Sequence, residues 1–225
     1  MPTSIIHVHG SARDTRSPDS ATIRVEVSKW GRDWNLTHQA VRSTVEGLMD
    51  DLQQLAADNP KALENPVVVQ VSKRSWTDGI GVAYSETVDV AATFSDFQVM
   101  SQWVFTHSTE TISVYRIDWS LTAATKKEAT IALSVAAMRE ARRKAEAIAA
   151  AAGLVIVGIE SLTEPPEAGD TSETLATLPG ESPSATIEIT PTPVDLVVRV
   201  EAQFRAELDP DSDTTTRRAP SLFFA

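Results

Sequence analysis

From Val194 to Leu208 every even-numbered residue is apolar, and every odd-numbered one except Val197 is polar or charged. Alternation this strict has the period of a strand and not of a helix, so the stretch must carry one wet face and one buried face. Such a strand belongs in an antiparallel sheet that is covered on one side only. The remaining residues therefore have to supply neighbouring strands and an apolar cover.

The rest of the chain meets that demand. Segment 5–12 sets Ile6, Val8 and Ala12 against His7 and His9, and segment 21–28 sets Ala21, Ile23, Val25 and Val27 against Thr22, Arg24, Glu26 and Ser28. Ser17-Pro18-Asp19 supplies turn chemistry between them. Val41, Val45, Leu48, Leu52 and Leu55 then step by four and three, which predicts a helix over 38–57. Thr37 or Asn35 is the expected cap, and Asn59-Pro60 the stop. Val67, Val69 and Val71 open a strand, and Asp78-Gly79 suggests a turn. A longer strand over 82–94 has Val82, Tyr84, Val88, Val90, Ala92 and Phe94 in one parity. A short helix over 95–106 is opened by Ser95. In 112–121 the apolar parity switches from Ile112 and Val114 to Ile117, Trp119 and Leu121, which predicts a bulge near Tyr115-Arg116.

Thr125-x-x-Glu128 has the spacing of a capping box and opens a helix that runs to Ala152 and stops at Gly153. Ala129, Ala132, Ala136, Ala141, Ala145, Ala149 and Ala152 fall largely on one side. That stripe either lets the helix backbone lie unusually close to its neighbour or simply reflects helix propensity. Leu154 to Ile159 reads as a buried strand. The order β-β-α-β-β-α-β-α-β-β gives an α+β fold, antiparallel sheet with helices packed on one face, and hairpin neighbours are expected to pair.

Residues 1–208 are expected to form a single domain. Within it, 163–192 is proline-rich and carries Glu164, Glu167, Asp170, Glu173, Glu181 and Glu188 with no basic residue. That composition predicts a mobile acidic loop. Residues 209–225 read as a disordered tail in which Leu222-Phe223-Phe224 is the one apolar cluster. The net charge of −11 makes sequence-independent nucleic-acid binding and anionic-membrane binding poor expectations. Without cysteine there are no disulfides, thiolate metal sites or cysteine nucleophiles. No secretory leader and no apolar run of membrane-spanning length are visible, so a cytoplasmic protein is expected.

Four stretches together resemble the SIMPL-domain family, also called DUF541. They are Ile6-x-Val8-x-Gly10; Pro18-Asp19-x-Ala21-x-Ile23-x-Val25-x-Val27; Glu128-Ala129 through Ala141-x-x-Lys144-Ala145-x-x-x-Ala149-x-x-x-Gly153; and the proline followed by the alternating strand at 191–208. The resemblance implies an α+β fold, homo-oligomers that in some members are large rings, and a loose link to oxidative-stress defence. In animals it implies a kinase-signalling adaptor. It implies no established catalytic residues, and no cofactor is expected. Many bacterial relatives carry a leader that is not seen here, and the family's glycine-tyrosine is Ala83-Tyr84.

Few residues carry chemistry of their own. His7 and His9 form the one H-x-H pair; on a strand both rings share a face and can reach one metal, although polar-face placement is the commoner reason for such a pair. His38 and His107 are expected to be solvated. Asp209-x-Asp211-x-Asp213 imitates a calcium loop but has Thr214 and Pro220 where glycine and glutamate are required. Arg139, Arg142, Arg143 and Lys144 are matched by Glu140 and Glu146 at i,i+4 spacing, which points to a solvated face. Trp30 and Trp34 sit in a strand-to-helix connection and, with Leu222, Phe223 and Phe224, are the interface candidates. No hydrolase, nucleotide-binding or zinc-protease motif occurs. The leading expectation is a non-enzymatic, self-associating protein with an interaction or scaffold role or a link to stress defence. The alternative is a small-molecule-binding protein or unrecognised enzyme with a pocket between sheet and helices.

Overall fold

The computed structural model describes residues 3–64, 66–164 and 189–209. Most of the loop expected over 163–192 and nearly all of the tail expected over 209–225 lie outside the described residues. Ten elements follow in the order β1 (Ser4–Arg16), β2 (Ser20–Gly31), α1 (Trp34–Asp58), β3 (Val67–Asp78), β4 (Gly81–Phe94), α2 (Phe97–His107), β5 (Ile112–Ser120), α3 (Ala123–Ala151), β6 (Leu154–Thr163) and β7 (Val194–Leu208). The element order expected from the sequence holds, and the fold is α+β with two antiparallel sheets.

Within the span expected as one domain, two compact units separate, and each draws on distant parts of the chain. The first holds a three-stranded sheet in the order β1-β7-β6, together with α3. Along β7 all even residues from Val194 to Ala206 are buried, and only Leu208 at the strand end is exposed. On β1 the buried residues are Ile6, Val8 and Gly10, while His7 and His9 face outward. One i+4 row of α3 covers this apolar face: Ala129, Leu133, Ala137, Ala141, Ala145 and Ala149. Ala132, Ala136 and Ala152, expected in the stripe, are exposed. The small side chains matter sterically. A Cβ placed on Gly10 would lie 2.0 Å from the Ala137 carbonyl oxygen and 2.8 Å from the Ala141 nitrogen, so β1 passes almost against the helix backbone. Close approach, and not propensity alone, accounts for the alanines. Gly153 ends the helix with φ +67°. The helix begins at Ala123, so Thr125 lies within its first turn and not at the cap.

Two further expectations fail in this unit. β6 is not a buried strand: Val155, Val157, Ile159 and Leu162 are exposed, because it is a sheet edge that α3 does not cover on both faces. β1 does not pair with β2, its neighbour in sequence, since the two enter different sheets.

The second unit is a four-stranded sheet in the order β3-β4-β2-β5 with α1 and α2 against one face. Val41, Leu48, Leu52 and Ala56 of α1 and Met100, Trp103 and Val104 of α2 meet Ile23, Val25, Val27, Val90 and Phe94 of the strands. The bulge expected near Tyr115 is present: Arg24 pairs with Arg116 and Val25 with Val114, which leaves Tyr115 outside the ladder. The helix caps differ from expectation. Asp33 caps α1 by accepting the Leu36 amide, and Asp96 caps α2 by accepting those of Gln98 and Val99. The stop at Asn59 is as expected.

Candidate functional site

One charged side chain is buried among the described residues, Glu86 of β4, only 3% exposed. It sits on the core-side parity of the strand, between Tyr84 and Val88, beneath the first turn of α1. Its two oxygens have separate partners. Oε2 lies 2.7 Å from His38 Nδ1, and Oε1 lies 3.6 Å from Lys73 Nζ. Lys73 is positioned by the hairpin register, which pairs it directly with Glu86. An aromatic lid completes the cluster: Trp34 stacks on His38 at 5.7 Å and meets Tyr84 edge-on at 5.9 Å. The Lys73 ammonium lies 4.9 Å from the Trp34 ring centre, within range of a cation–π contact.

Burying a carboxylate is costly unless it is paired and hydrogen-bonded, and these partners meet that cost. A carboxylate on Nδ1 also fixes an imidazole's orientation and leaves Nε2 as its outward nitrogen, the arrangement from which histidine bases and ligands work. Neither His38 nor His107 is simply solvated. His107 stacks on Trp103 at 4.6 Å, and its Nδ1 lies 2.9 Å from the Trp103 carbonyl. The Glu86 cluster was missed from sequence, yet a signal existed: position 86 is the polar gap in the even series Val82, Tyr84, Val88, Val90.

A second polar group lies in the other unit. His7 and His9 stand on the outer face of β1, beside a shallow open groove that they line with Val8, Lys144, Ala147 and Ile148. His9 Nδ1 is 3.6 Å from Glu201 Oε1 on β7. Among the described residues no group of three or more His, Asp or Glu side chains could hold a metal ion. Lys144 Nζ reaches the His9 carbonyl at 3.1 Å, and Glu140 Oε2 accepts the Ser11 amide at 2.5 Å. The same two residues pair with each other at 2.8 Å, and Arg142 with Glu146 at 2.8 Å, so Lys144 and Arg142 of the basic run are matched by their own helix.

The interface candidates separate. Trp30 is 66% exposed on the outer face of β2, whereas Trp34 is committed to the Glu86 lid. Leu222, Phe223 and Phe224 lie outside the described residues. A larger apolar surface comes from β3, the edge of its sheet, where Val67, Val68, Val69 and Val71 are 47–55% exposed and Trp76 is 44% exposed.

Two antiparallel sheets, one covered by α3 and the other by α1 and α2, define an α+β protein. The model of the SIMPL family, described as a protein of unknown function (DUF541), matches residues 6–204, and the chain belongs to that family. No curated protein matches the chain. No helix among the described residues is long and apolar enough to cross a membrane.

Proposed function

We propose that this protein acts by self-association, as an interaction or scaffold module and not as an enzyme, and that β3 is the associating strand. One observation carries the reading: an edge strand whose residues 67–71 expose four valines. An unpaired edge of that kind is a template for another strand, and soluble proteins cover it or blunt it. Lys73 and Arg74 blunt the hairpin end of β3, and a bulge at Val69 bends the strand within its apolar part. Those charges leave Val67–Val71 as the pairing segment. A second copy suits it better than a foreign strand, because a two-fold axis through Val69 sets Val67 against Val71 in both directions. At about 3.3 Å per residue the two Lys73 side chains then stand roughly 26 Å apart, beyond screening range.

Sedimentation velocity of the wild type and of a Val69→Lys, Val71→Lys double variant tests this. A concentration-dependent dimer or larger species is expected for the wild type, with the variant monomeric and equally folded. A wild type that stays monomeric across the micromolar range overturns the reading. The Glu86 cluster supports a second reading, a small-molecule site under the start of α1. A ligand whose binding is lost on His38→Ala, in a monomeric wild type, would favour it.

A further inference from the structure

The β3–β4 hairpin runs past the rest of its sheet. β5 pairs with β2 only as far as Ile112, opposite Val27, and β2 pairs with β4 only as far as Gly31, opposite Tyr84. Beyond that point β3 and β4 continue alone through Trp76↔Ala83, Thr77↔Val82 and Asp78↔Gly81, closed by the turn Gly79-Ile80. From Val88, the β4 partner of Val27, to Gly81 is roughly 23 Å of strand. This projecting end carries large apolar side chains on both faces and at its tip. Ile80 in the turn is 84% exposed, Trp76 and Val82 are 44% exposed, and Trp30 on β2 is 66% exposed. The pairing puts Trp76 and Trp30 on the outer face with Ala83 and Ser85, and Val82 on the opposite face, in the parity of Tyr84 and Glu86.

Exposed apolar side chains gathered in one place mark a docking site for protein or for membrane. The form of this one selects the membrane. A protein groove covers one face of a ribbon, whereas a bilayer closes around a tip and dehydrates both faces and the turn together. Charge follows the same order of depth. On β3, Arg74 lies two residues behind Trp76 and Lys73 three; on β2, Lys29 lies one behind Trp30. The apolar turn leads, the indoles follow and the cations come last, at the level where lipid phosphates lie. The turn is also prepared for dehydration. Asp78 Oδ1 accepts the Ile80 and Gly81 amides at 3.0 and 3.1 Å, and Arg32 holds the same carboxylate through two nitrogens at 3.2 and 2.9 Å. Both amides and the one carboxylate of the turn are thus partnered before they leave water. We propose that Ile80, with Trp76, Val82 and Trp30, inserts shallowly into the surface of a zwitterionic phospholipid bilayer. The net charge of −11 sets the lipid class, since an anionic surface repels the chain as a whole. The inference is independent of self-association, which uses the other end of β3.

The test is flotation of the 225-residue chain with phosphatidylcholine vesicles. At about 1 mM lipid most of the wild type is expected to float, with its tryptophan emission shifted to the blue. Ile80→Asp should weaken binding by about tenfold or more and Trp76→Ala by about fivefold. Both side chains are exposed, so far-UV circular dichroism should confirm unchanged folding. Phe105→Asp is the control for general stickiness. Phe105 is 80% exposed on α2, whose Trp103 packs against Phe94 at the far end of β4, and this variant should float like the wild type. The Val69→Lys, Val71→Lys variant should float as well. A wild type that does not float, full binding by Ile80→Asp and Trp76→Ala, or an equal loss in Phe105→Asp would each overturn the proposal. Tip variants that lose oligomers in place of vesicle binding would assign the tip to a second copy and overturn it too.

Discussion

At Gly10 the chain has no room for a methyl group, since an added Cβ would meet the Ala137 carbonyl oxygen at 2.0 Å. The glycine of the motif Ile6-x-Val8-x-Gly10 is therefore there for space, and the alanines facing it on α3 serve the same end. Gly10→Ala is expected to cost about 3 kcal/mol or more, because backbone must move on both sides of the contact. Equilibrium urea denaturation measures that loss, and a change under about 0.5 kcal/mol would contradict it. Glu86 makes a second residue-scale case. His38→Ala removes the shorter of its two contacts and leaves a buried carboxylate facing only Lys73 at 3.6 Å. A loss of about 1–3 kcal/mol is expected, and Glu86→Gln should reduce the cost of the His38 change in a double-mutant cycle. Additive effects of the two substitutions would contradict the coupling.

Elements were legible in the sequence where the signal was local parity, and illegible where it depended on what lay alongside. β7 follows its alternation almost to the last residue, so Val198→Asp or Val200→Asp should abolish soluble folding, whereas Arg199→Asp should leave the thermal midpoint nearly unchanged. Equal midpoints for the three would show the parity to be wrong. The bulge at Tyr115 was readable because a parity switch is itself a local signal. The cap of α1 was not, because the apolar stripe begins at Val41 and the turn from Trp34 to Thr37 has no periodic pattern to mark it. β6 looked buried from its composition, but burial depends on neighbours, and as an edge strand it exposes alternate apolar residues. Glu86 broke a parity series visibly; its partners on α1 and β3 did not, since their convergence is a product of the fold. Edges also differ in treatment. Side chains from α3 occupy backbone groups of β1 at Ser11 and His9, and two bulges interrupt β6. Among the described residues no side chain caps the backbone of Val67–Val71.

Across the whole molecule the charge contacts set a direction for pH. Asp195 is held below the usual carboxylate range by the Thr15 hydroxyl at 2.6 Å and by Arg13, which ties β7 to β1. Glu140 is lowered by Lys144 and then by the Ser11 amide, and Asp78 by Arg32 and then by the Ile80 amide in the hairpin turn. A carboxyl whose folded value is depressed adds stability above its unfolded value near 4, and that contribution is lost as pH falls through the folded value. The urea midpoint should therefore respond little to these groups between about pH 5 and 8 and fall below about pH 4. Asp195→Asn with Glu140→Gln should flatten the acid limb; an unchanged slope would show that other groups set it.

Self-association through β3 is the claim on which the functional reading rests, and backbone hydrogen exchange followed by mass spectrometry reaches it most directly. Exchange in peptides covering Val67–Val71 should slow as protein concentration rises through the micromolar range, while peptides from the core of α3 stay constant. The Val69→Lys, Val71→Lys variant should show no such dependence. Concentration-independent exchange across Val67–Val71 in the wild type would contradict it.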